Sequence, residues 1–158
     1  MKNIAALVIK ELNTYFVSPI AYFVSFIFTA ISGFLFSMIL LNFSAYQEPS
    51  TLVMQILFNN VSVTLLFFTP ALTMKLFAEE RKTGTIELLM TSPLKDSEVV
   101  IGKFLASWIL LIFMLLLTFL FPVLILPFGH PDIGPIASGY LGLLLLGSSF
   151  LSVGVMVS

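Results

Sequence analysis

Between Glu11 and Glu48 no residue carries a charge, and the same holds between Glu48 and Lys75, between Lys103 and Asp132, and from Ile133 to Ser158. A helix rising ~1.5 Å per residue needs about 20 apolar residues to cross ~30 Å of hydrocarbon. Each uncharged gap is long enough. The pattern therefore predicts four membrane-spanning helices, at 20–41, 55–74, 104–126 and 136–157. Ser18-Pro19 suits the start of the first, with a side-chain acceptor at the cap and proline at the first helical position, where a missing N–H does no harm.

Ahead of that start, Ile4, Leu7, Val8, Leu12 and Tyr15 recur at helical spacing, with Lys2, Lys10, Glu11 and Asn13 read elsewhere on the wheel. Residues 1–18 are accordingly expected to form an amphipathic helix lying in the membrane interface. The Ser-Pro break argues against a simple extension of the first span. The last span runs to Ser158 with no charged or aromatic anchor after it. That is expected of a fragment or of a protein ending inside the membrane, and truncation is the favoured reading.

Composition strengthens this picture. The hydrophobic fraction is 59%, the charged fraction 9% and the mean hydropathy +1.11, whereas a soluble domain has about a quarter of its residues charged. A net charge of −1 with no clustered basic face excludes nucleic acid as a partner. The absence of cysteine excludes disulfides, thiolate catalysis and Cys-ligated metals. Lys2, Lys10, Lys75, Arg81, Lys82, Lys95 and Lys103 all fall in the N-terminal segment or the middle loop, while the other two loops hold only Glu48, His130 and Asp132. Positive charge is retained on the cytoplasmic side, so the N-terminus and residues 75–103 are expected in the cytoplasm and the chain in the cell (inner) membrane. Lys10-Glu11 interrupts any apolar leader, so the N-terminus does not read as a cleavable signal.

The loop KLFAEERKTGTIELLMTSPLKDSEVVIGK, residues 75–103, holds ten of the fifteen charged side chains. Thr83-Gly84 breaks the helix leaving the second span and can cap a short helix from Thr85 to Thr91, with Glu87 near the positive end of its dipole. Ser92-Pro93 ends it. Ile86, Leu89 and Met90 share one face at i, i+3 and i+4, making an apolar knob flanked by Arg81 and Glu87. A helix this short is unstable alone in water, so the knob must pack on its own membrane domain, the bilayer surface or a partner.

The run Pro70-Ala71-Leu72-Thr73-Met74, then Phe77-Ala78-Glu79-Glu80-Arg81, Gly84-Thr85-Ile86-Glu87-Leu88-Leu89, Thr91-Ser92-Pro93 and Gly102-Lys103-Phe104 resembles the loop of type 2 ABC export permeases. Within that group it is most similar to the permease of the gliding-motility-associated transporter. Ser18-Pro19-Ile20-Ala21-Tyr22 resembles the family's approach to its first span. The resemblance implies an all-α polytopic bundle, a single transmembrane domain over 1–158, and a coupling helix that docks on a separate ABC ATPase subunit. Glu79, Glu80, Arg81, Gly84, Ile86, Glu87, Leu89 and Met90 become the ATPase-docking candidates. It also implies six spans in the full family member and a second permease subunit, as a homo- or heterodimer.

Other candidates are weaker. Ser25, Thr29, Gly33 and Ser37 form an i+4 row on the first span, and Gly147, Ser148, Ser152 and Gly154 a looser small-residue face on the fourth; such rows let helices approach closely, with lining of a substrate path as the sharper alternative. His130 and Asp132 lack the further His or Cys a metal site needs, so a plain turn is the better reading. Gly102-Lys103 is not a phosphate loop, which requires glycine where Ser97 stands and Ser or Thr where Phe104 stands. No cofactor, metal or catalytic residue is expected. A membrane-embedded enzyme would need intramembrane carboxylates or an activated nucleophile, and the spans offer scattered Ser and Thr without a base. A structural or assembly subunit without transport remains open.

Overall fold

Pro19 and Pro122 each fall just after a break between helices. The computed structural model describes residues 2–46, 50–83, 96–125 and 132–157, and of these only Ser18, Phe119 and Asp132 are not helical. The elements are α1 (Lys2–Val17), α2 (Pro19–Tyr46), α3 (Ser50–Thr83), α4 (Asp96–Thr118), α5 (Leu120–Ile125) and α6 (Ile133–Val157). The expected all-α bundle is borne out, with four stretches among the described residues long and apolar enough to cross a membrane: Ala21–Asn42, Leu52–Met74, Ser97–Ile125 and Ile133–Met156. Hydrocarbon offers no hydrogen-bond partner, so each backbone must satisfy its own N–H and C=O groups, and the helix does this within one segment.

The joints follow from local chemistry. Ser18 separates α1 from α2 by a single residue whose N–H still donates to the Thr14 carbonyl at 3.1 Å, and Pro19 opens α2. The third span reads from the sequence as one helix from 104 to 126, but it begins at Asp96 and breaks at Phe119. Pro122 is the reason. It has no N–H to offer the Thr118 carbonyl, and its ring crowds that oxygen. The turn tightens instead, with the Phe119 N–H donating to the Leu116 carbonyl at 3.1 Å. Pro70, by contrast, sits exposed inside α3 without ending it. Nine residues of α3, Lys75 to Thr83, continue beyond the apolar stretch, a rod of ~13 Å.

Packing contacts fix the register. Along α4 and α6 the Trp108 indole N–H donates to Ser148 Oγ at 2.7 Å, Leu111 lies on Gly147, and the Thr118 and Tyr140 hydroxyls approach to 3.4 Å. The α6 partner moves back toward its N-terminus as α4 advances, so the two are antiparallel. Helices α3 and α6 run in parallel, with Phe58 against Gly139 at one end and Thr73 against Gly154 at the other. Helix α2 joins through Phe28 on Phe68, centroids 5.5 Å apart, and through Phe36 stacked on Phe121 of α5 at 5.0 Å. Phe28, Leu57, Leu65, Leu110, Leu111 and Met114 are fully buried at the centre, whereas Phe23, Phe26, Phe34 and Phe67 point outward.

Candidate functional site

Residues 84–95 join the end of α3 to the start of α4, so these two helix ends belong to one end of the bundle. Thr73 and Gly154 bring the last turns of α6 to the same end. Helix α1 completes it by lying along α4 in the same direction. Leu7 sits against Gly102, Glu11 pairs with Lys103, and the Phe16 ring meets Phe113 edge-on, with centroids 5.7 Å apart and planes at 85°.

The centre of this seam is an ion pair. Lys103 Nζ lies 4.0 Å from Glu11 Oε1, with the lysine side chain 1% and the glutamate 12% exposed. Charges this far from water persist only when paired, because desolvating each alone costs several kcal/mol. Next to the pair, a methyl group on Gly102 would stand 2.5 Å from Leu7 Cδ2. Glycine is what allows α1 to close onto α4 there. The Ser107 hydroxyl donates to the Lys103 carbonyl at 3.0 Å.

Sequence reading missed this seam. It set Glu11 apart from the apolar stripe of α1, whereas four residues separate Glu11 from both Leu7 and Tyr15, which puts all three on one helix face. Leu7 and Tyr15 are buried, and Glu11 lies between them. It also ended the cytoplasmic loop at Lys103, on the rule that lysine marks a span boundary. The helix holding Lys103 begins at Asp96, and the stretch that is long and apolar enough to cross a membrane, counted from Ser97, includes Lys103. The available signal was a glutamate on an apolar stripe and a lysine inside a helix, two misfits of opposite sign.

Of the expected docking residues, Glu79, Glu80 and Arg81 belong to the last two turns of α3, and their side chains lie outside the described residues. Gly84, Ile86, Glu87, Leu89 and Met90 also lie outside them, as does His130. On the i+4 row of α2, Ser25 is buried and its carbonyl accepts from the Thr29 hydroxyl at 2.8 Å, while Ser37 is exposed and donates to the Phe34 carbonyl at 2.7 Å. A methyl group on Gly33 would meet the Phe121 ring at an ordinary 3.7 Å. Among the described residues, the glycines that admit closer neighbours are Gly102, Gly139, Gly147 and Gly154, on α4 and α6.

The hydroxyls of the spans are largely turned onto their own helices. Thr29, Ser62, Thr64, Thr69, Ser107 and Ser148 each donate to the carbonyl four residues back. This is how such side chains tolerate hydrocarbon. Among the described residues no three His, Asp or Glu side chains gather as a metal group would require.

Four apolar helices among the described residues make this a multi-pass membrane protein. Residues 41–158 match the family model of the ABC-2 family transporter protein, and the chain belongs to that family. It is a membrane subunit of an ABC transporter. No curated protein and no solved structure matches the chain.

Proposed function

We propose that this chain is the permease subunit of an ATP-driven exporter and takes its energy from a separate ABC ATPase docked on residues 75–103. Membership of the ABC-2 transporter family is the observation that carries this reading. Glu79, Glu80, Arg81 and Glu87 supply a polar rim, and Ile86, Leu89 and Met90 an apolar knob turned to the ATPase. Helix α3 runs past its span as a rod toward this loop, so a push at the loop reaches the bundle through both α3 and α4. A second permease subunit, identical or related, completes the substrate path. The narrower assignment, to the gliding-motility-associated kind of permease, is supported by the likeness of the loop residues alone.

Docking requires the loop to face ATP, hence an N-terminus and loop in the cytoplasm and the chain in the cell inner membrane. The segregation of all seven Lys and Arg residues to one side supports that orientation. Single cysteines placed at Glu48 and at Asp132 in the full-length protein are expected to react with an impermeant thiol reagent added outside intact cells, and one at Lys95 only after the membrane is opened. Outside labelling at Lys95 contradicts both the orientation and the docking.

A further inference from the structure

We infer that α1 and the first turns of α4 form one rigid unit, and that Glu11 and Lys103 are positioning residues which make α1 travel with α4 during the transport cycle. The inference rests on the docking reading above but reaches residues outside the loop, and α1 lies outside the segment that matches the family. Three observations carry it. The seam extends from Leu7 to Phe16 on α1 and from Gly102 to Phe113 on α4, so it is a lengthwise contact and not a crossing point. At its centre is an ion pair whose lysine side chain is 1% exposed, so that drawing the two charges apart is costly. Beside the pair, Leu7 occupies the space that a side chain at position 102 would need. Motion entering α4 from the loop is then delivered directly to α1, and the single-residue joint at Ser18 is where α1 and α2 take up the difference.

The fit suggests its own test. A Cβ at position 102 would lie 3.4 Å from Leu7 Cβ, close to the about 3.5–4.5 Å that a disulfide spans. The chain contains no cysteine to interfere. In the full-length protein purified with its ATPase and reconstituted in nanodiscs, Leu7→Cys with Gly102→Cys is expected to form the disulfide under mild oxidation. MgATP hydrolysis is expected to be the same oxidised and reduced. Oxidation that stops hydrolysis, with recovery on reduction, overturns the inference, because α1 must then separate from α4. Failure of the disulfide to form overturns it as well. Glu11→Lys and Lys103→Glu are each expected to lower hydrolysis by about tenfold or more while the ATPase still copurifies, and the combined exchange to restore it. An exchange that restores membrane level but not hydrolysis shows the pair to be structural only and overturns the positioning role. If the wild-type complex itself hydrolyses no ATP, the docking reading fails, and the yield of the disulfide still decides whether the seam holds.

Discussion

Leu89→Asp in the full-length protein is expected to abolish ATPase copurification while leaving the membrane level of the permease normal. The sequence spaces Ile86, Leu89 and Met90 at i, i+3 and i+4, the pattern of an apolar face on a helix that would be too short to stand alone and would need that face covered. If an ATPase groove covers it, a carboxylate at position 89 enters that groove without a partner, at a cost of several kcal/mol. The substitution lies in the loop between the second and third spans, away from the apolar stretches that drive insertion. Charge reversal at Glu79 or Glu80 should give a milder and salt-sensitive defect, since charges on the rim of an interface act mainly on association rate. Unchanged ATPase binding by a stably inserted Leu89→Asp protein would show that the knob packs elsewhere.

Gly154→Val is expected to lower the midpoint of thermal unfolding in detergent and the yield of monodisperse protein far more than Gly142→Val. Any Cβ at position 154 points at Thr73 Oγ1, Cγ2 and Cβ, all closer than a side-chain contact allows. Thr73 has little room to yield. It is 1% exposed, β-branched, and its hydroxyl donates to the Pro70 carbonyl at 2.9 Å. Valine there forces α3 and α6 apart along their shared length, and overpacking of this kind costs about 3 kcal/mol. Gly142 has nothing within 4 Å of its would-be Cβ, and a substitution there is free of that clash. Thr73→Gly combined with Gly154→Ala should recover part of the loss by removing the colliding atoms. Equal behaviour at positions 154 and 142 would mean that the α3–α6 contact is looser than described.

The number and approximate place of the spans were legible because charge and length alone decide whether a segment can cross hydrocarbon. The end of α1 was legible for a similarly local reason, since Ser18-Pro19 acts on its own backbone. What escaped depends on partners far away in the chain. Pro122 was present in the sequence, yet its effect on Thr118 and Phe119 was not drawn from a span that otherwise reads as one apolar run. The i+4 row on α2 rests on spacing alone, which says nothing of what stands opposite: Ser25 is buried, Ser37 is exposed, and at Gly33 the neighbour is a phenylalanine ring at ordinary distance. The tight approaches sit at Gly102 and Gly154, which meet Leu7 and Thr73 across large gaps in sequence. The ion pair escaped for the same reason, because Glu11 and Lys103 are misfits separately and sensible only together.

The most direct measurement is purification of the tagged full-length protein from its own cells in mild detergent, with identification of what accompanies it. The account predicts an ATPase bearing a Walker motif in fixed stoichiometry with the permease, in a complex that hydrolyses MgATP. A permease that purifies stably folded, with no ATPase bound and no hydrolysis, would contradict it.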